Sequence, residues 1–171
     1  MSKLFSKISF LIITVAVNLL FTGQALAVTR SMTANIAFDT PLSLAKASDI
    51  NFGTVTFGTA DTYTITTSGV VTASGAGEHL YGETTAGSIS VSGSTTQSIN
   101  ISAGNYTANG GVTLQNATCS YDGAAPGSCE INGAPSGAAK TLLVGVQAIV
   151  DGTQMAGATA APGFTVTVAY Q

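Results

Sequence analysis

Along most of its length this chain alternates apolar and polar residues one by one, with breaks at Gly, Asn, Asp and Pro. Strand side chains point to opposite faces with period two, so a chain patterned this way buries its apolar half by forming sheets. Two segments show the alternation most cleanly. Near the start, Met32, Ala34, Ile36 and Phe38 alternate with Thr33, Asn35, Ala37 and Asp39; at the finish, Phe164, Val166, Val168 and Tyr170 alternate with Thr165, Thr167, Ala169 and Gln171. Each presents an apolar row to a core. Whose core the first row enters decides what the chain does.

Between these ends the same reading gives a series of short strands. Leu42-Ser43-Leu44 forms a brief second piece, Ile50 and Phe52 approach a turn at Gly53, and Val55 and Phe57 run to Gly58. Tyr63 to Ile65, Ile89 with Val91, Ile99 with Ile101, and Val112 with Leu114 follow. Residues 74–87 read as a flexible connection with little to bury. Leu142, Val144, Val146 and Ala148, with Leu143 and Ile149 on the other side, make the most apolar strand and the expected centre of a sheet. Asp151-Gly152 supplies a hairpin-type turn that would keep the last strand in the same sheet. The Ala-rich window at Leu42 to Ala47 is too brief to nucleate a helix. The expected fold is all-β, a sandwich of about eight or nine strands.

The first 27 residues read as a segment removed on export. Lys3 and Lys7 precede an apolar run from Ile8 to Phe21, and Ala25-Leu26-Ala27 offers a small-x-small cleavage site before Val28. The run is shorter than the roughly 20 residues a membrane span requires. The expected mature chain, residues 28–171, is one domain, with 28–39 as an edge or donor strand and no membrane span.

Once the leader is removed, Arg30, Lys46 and Lys140 face eight acids, a net charge of −5. Nucleic acid is excluded as a partner, because phosphate neutralisation needs clustered Lys or Arg. The solvent face must be mostly Ser, Thr, Asn and Gly. Such a surface packs against copies of itself at little desolvation cost, which suits an exported structural or adhesive protein.

Cys119 and Cys129 are the only cysteines, and in an exported chain their spacing suits a disulfide across a hairpin turning at Asp122-Gly123 or Pro126-Gly127. A metal site would need further soft ligands, and none is at hand. His79, the only histidine, reads as a solvated imidazole. No G-x-S-x-G elbow follows a strand, so no nucleophile pairs with that histidine and no enzyme is expected. Asp49, Asp61, Asp122 and Asp151 lie near turns without acidic companions, and turn capping is their expected role. No cofactor is expected.

The chain resembles a family of secreted bacterial β-sandwich domains known only as a domain of unknown function. That family is similar to chaperone–usher pilins and spore-coat-U-type subunits. The resemblance rests on Pro41-Leu42-Ser43-Leu44, on Ile50-Asn51-Phe52-Gly53-Thr54-Val55, on Leu142-Leu143-Val144-Gly145-Val146 and on the closing Gly163-Phe164-Thr165-Val166-Thr167-Val168-Ala169-Tyr170. The Cys119–Cys129 pair stands outside the shared pattern. The resemblance implies an immunoglobulin-like, pilin-like sandwich at the cell surface or outside the cell. It also implies assembly by strand donation, with Met32, Ala34, Ile36 and Phe38 as donor residues. The implied partners are copies of the same chain, a periplasmic chaperone and an outer-membrane usher. The competing expectation is a non-polymerising envelope protein or carbohydrate-binding module, with Tyr81, Tyr106 and Tyr121 as candidate sugar-stacking rings.

Overall fold

The computed structural model describes residues 29–171, and every structural statement below concerns those residues. The expected cleavage site at Ala25, Ala27 and Val28 lies outside them. Two units are distinguished, Met1–Ala37 and Phe38–Gln171, and all the strands found among the described residues lie in the second.

That unit is all-β, with twelve strands rather than eight or nine. In chain order they are β1 Ser43–Ser48, β2 Thr54–Val55, β3 Ala60–Ile65, β4 Val71–Ala73, β5 His79–Tyr81 and β6 Gly87–Ser92. There follow β7 Ser98–Thr107, β8 Val112–Tyr121, β9 Gly127–Ser128, β10 Ile131–Pro135, β11 Lys140–Asp151 and β12 Gly163–Tyr170. Four of the twelve, β2, β4, β5 and β9, are only two or three residues long, and they account for the difference in number.

All pairing is antiparallel, and β11 organises it. One edge of β11 pairs β6 over Lys140–Val144 and then β3 over Val146–Asp151, while its other edge carries β8. With β1 outside β6, β4 outside β3 and β9 on β8, this makes a seven-stranded sheet. The handover from β6 to β3 falls at Gly145, where an added Cβ would run into the Ile65 carbonyl. Only glycine fits that crossing.

A three-stranded sheet, β10-β7-β12, faces the large one. The chain crosses between sheets after β7, through Gly110 and Gly111, both at positive φ. It crosses again after β11. The expected Asp151-Gly152 hairpin is therefore not formed: β12 pairs β7 in the opposite sheet, and residues 152–162 make the crossing. A local turn signal says where a strand ends but not which strand it will pair with.

Inward rows from both sheets form the main core. Val91, Leu142 and Val144 of the large sheet meet Ile99 and Ile101 of the small one, with Cys119, Tyr121 and Cys129 beside them. A second cluster, Ile65, Leu114, Val146 and Ala148, lies under the other half of β11. Cys119 and Cys129 form the expected disulfide, their Cα atoms 4.9 Å apart. Cys129 leads directly into β10, so the bond joins the large sheet to the chain entering the small one.

The segment 74–87 is more ordered than its composition suggests. β5 pairs β2, and Thr85 bridges Asn51. Just before β5, the buried Asp61 carboxylate accepts hydrogen bonds from Gly77 N–H (2.6 Å), Thr62 N–H (2.7 Å), Ser74 Oγ (3.0 Å) and Gly75 N–H (3.1 Å). Burial opposes its charge, but these donors outweigh burial and hold the carboxyl below its ordinary value of 3.8. A depressed folded-state value means the contribution is complete above about pH 4 and is lost as pH falls through the lower value. Asp61→Asn is therefore expected to lower the melting temperature at pH 7. The gap to the native chain should narrow below about pH 4. An equal gap at pH 7 and pH 2.5 would show that the carboxylate charge does not hold this loop.

Candidate functional site

The small sheet ends abruptly at β12. One edge of β12 pairs β7, and among the described residues its other edge pairs nothing. Its inward row, Phe164, Val166, Val168 and Tyr170, is only half-buried, whereas Ile99 and Ile101 on the neighbouring β7 are fully buried. The sandwich is thus closed on one side of this row and open on the other.

The large sheet ends at β1, which pairs only β6 and is exposed along nearly its whole length. Leu44 of β1 is 44% exposed, and Leu42, Ile50 and Ile89 are partly buried against the main core. The two unpaired edges come together at one end. Tyr170 Oη donates to the Thr40 carbonyl (2.7 Å) and accepts from Ser94 N–H (2.7 Å). An unpaired edge beside an under-covered apolar row has the properties of a slot for one more strand.

The chain enters the domain at that same end. Asp39 accepts from Ser94 Oγ (2.7 Å), from Thr40 N–H (2.7 Å) and more distantly from Thr96 Oγ1 (3.3 Å). The Ser94 and Thr40 bonds, in that order, hold its carboxyl below its ordinary value. Asp39 is therefore pinned, and residues before it form an arm. Residues 29–42 carry no strand. Met32, Ile36 and Phe38 are 96%, 75% and 90% exposed, values far from those of a packed strand.

The apolar row of the arm is legible in the sequence, but β12 was expected in the sheet of β11 and instead lies at an edge of the small sheet. The Asp39–Ser94 anchor is not legible there. The short polar stretch Gly93-Ser94 after β6 gives no sign in the sequence that it will meet residues far upstream.

The other candidates are resolved by geometry. Tyr121 is buried in the main core and donates to the Pro135 carbonyl at 3.1 Å. Tyr106 stacks on Phe164, ring centroids 5.6 Å apart, and accepts from Ala117 N–H. Of the three tyrosines considered for sugar stacking, only Tyr81 is freely exposed. His79 is not solvated as expected. It is half-buried in β5, and its Nε2 packs against Gly53 with no hydrogen-bond partner among the described residues. Asp151 caps its turn by accepting from Thr153 N–H and Thr153 Oγ1. No cluster of metal-ligating side chains is found among the described residues, and no helix there is long and apolar enough to cross a membrane.

The family model of a domain of unknown function, DUF4402, matches residues 42–170. The chain belongs to this family. The match takes in all of the inward row of β12 and begins at Leu42, so the DUF4402 domain corresponds to the sandwich and the arm lies outside the matched span. No curated protein and no solved structure shows significant similarity to it.

Proposed function

We propose that this protein is a structural subunit of an extracellular fimbria-like filament or surface matrix. Copies join when the arm of one chain, Met32 to Phe38, enters the slot beside β12 of the next. One observation carries this reading: an unpaired edge with a half-covered apolar row occurs in the same chain as an exposed segment with a matching apolar row. The lengths agree. Seven residues of extended arm span roughly 23 Å and the eight residues of β12 roughly 26 Å, at about 3.3 Å per residue. Backbone hydrogen bonds along β12 supply affinity, and Met32, Ala34, Ile36 and Phe38 supply alternate side chains for the core side.

The resemblance read in the sequence, to a family akin to chaperone–usher pilins and spore-coat-U-type subunits, suggests the cellular setting of this proposal. An unpaired, apolar-lined edge is an aggregation hazard before assembly. A periplasmic chaperone that covers β12 and an outer-membrane usher that hands subunits on are the partners that answer the hazard. Export and a surface location belong to the same reading. Met32 to Phe38 holds no charged residue, so its entry beside β12 desolvates no charge.

Electron microscopy and size-exclusion chromatography of the purified mature protein test the proposal. Filaments or a ladder of oligomers that grows with concentration are expected. A single monomer peak at millimolar concentration, with no filaments, would oppose it.

A further inference from the structure

β1 and β12 each leave one edge unpaired among the described residues, and the two edges are not alike. β12 carries no charged side chain from Gly163 to Tyr170. β1 is exposed from Ser43 to Ala47 and carries Lys46 near its middle.

That lysine stands in the inward row. Residues directly opposed in an antiparallel pair point to the same face. Leu44 lies opposite Val91, and Lys46 lies opposite Ile89. Val91 is buried in the main core and Ile89 packs against it, so Lys46 shares the core-facing side of β1 with Leu44. Its Nζ lies 2.8 Å from each carboxylate oxygen of Asp49, and both side chains remain largely in water. The pairing register then shifts at an irregularity between Lys46 and Ser48. Arg30, Lys46 and Lys140 are the only basic residues from 29 to 171, and one of the three stands on this bare edge. We propose that Lys46 prevents β1 from pairing edge to edge with β1 of a second copy. This role is independent of whether β12 receives an arm.

Lys46 aside, β1 is Ser43, Leu44, Ala45, Ala47 and Ser48, and none of these side chains resists a new strand. Bare N–H and C=O groups on such an edge are a template for another chain, and a charge pointing inward is one way to block it. Two copies of β1 related by a twofold axis would pair antiparallel. Registers that keep both core-facing rows on one side set Lys46 against Lys46 of the second copy or against its Leu44. In the first the like charges are directly opposed. In the second they lie on the diagonal, roughly 7–8 Å apart at the backbone. Either placement opposes pairing. Each copy would also strip water from a Lys46–Asp49 pair that is hydrated in the single chain. A strand that pairs β12 meets no charge on that edge.

Cross-linking through the exposed neighbour Ala45 tests the proposal. In the chain of residues 28–171 carrying Ala45→Cys, a short bismaleimide should give covalent dimer only at the level of random collision. Adding Lys46→Thr removes the charge and keeps a polar side chain suited to a strand. It should raise the dimer by about fivefold or more at the same concentration. Lys46→Arg keeps the charge and should not raise it. Lys140→Thr makes the same change in net charge two strands away, on β11, and should not raise it either. If Lys46→Thr shows no cooperative melting, Lys46→Gln takes its place. No rise on removal of the charge would overturn the proposal. So would an equal rise with Lys46→Arg or with Lys140→Thr, because the charge at this edge would then not be what keeps the copies apart.

Discussion

A chain of residues 39–171 is expected to remain a monomer at concentrations where a chain of residues 28–171 assembles. The deletion stops short of Asp39, so the bonds from Ser94 and Thr40 stay in place and the entry to the domain is undisturbed. The sandwich should keep its fold, because residues 29–37 contribute no strand to it. Burying Ile36 and Phe38 in a neighbour would contribute roughly 1.5–3 kcal/mol each before ordering costs. Ile36→Asp in the complete chain is therefore expected to weaken assembly by about two orders of magnitude. Sedimentation across a dilution series checks both variants. Loss of the fold on deletion would instead mean that the arm completes its own sandwich. In that case the complete chain would be monomeric at every concentration.

Reduction of Cys119–Cys129 is expected to have the largest effect on stability. The bond closes a loop across a sequence separation of 10, and closing so short a loop stabilises by about 3 kcal/mol in the chain-entropy model. Little else holds the excursion: β9 pairs β8 only through Thr118↔Ser128 and Cys119↔Gly127. Both sulfurs belong to the main core, and Cys129 directs the chain into β10 of the opposite sheet. Reduction thus releases a connection between sheets as well as a hairpin. For a domain of this length, about 3 kcal/mol corresponds to roughly a 10 °C fall in melting temperature. Melts with and without reductant measure it. A fall of less than about 3 °C would mean that strand pairing alone holds the excursion.

Much of this architecture could be read from the chain, and the parts that could not share a physical cause. β11 was legible because its apolar run is continuous, as expected of a strand bordered on both edges. β12 was legible as a strand from the alternation of Phe164, Val166, Val168 and Tyr170. Its partner was not legible, because period two reports which face is buried and carries no information about which edge is paired. The same blindness applies to Met32–Phe38, whose pattern is as regular as that of β12 although it forms no strand in a single chain. β5 was hidden because its two pairs with β2 and the clasp by Asp61 are long-range contacts within a polar, Gly-rich segment. A cavity of about 670 Å³ at one end of β11 was hidden for a related reason. Its walls come from β2, β3, β5, β8, β11 and the crossing after β11, and no local pattern marks such an assembly. The disulfide was the exception, since a chain with two cysteines leaves one pairing.

Amide hydrogen exchange on the chain lacking residues 28–38, with and without a synthetic peptide of residues 29–39, tests the strand-donation account most directly. The amides of Phe164–Tyr170 that do not pair β7 are expected to gain protection of about tenfold or more when the peptide is added. Unchanged exchange along β12 at saturating peptide, or protection that appears only at another edge such as β4, would contradict it.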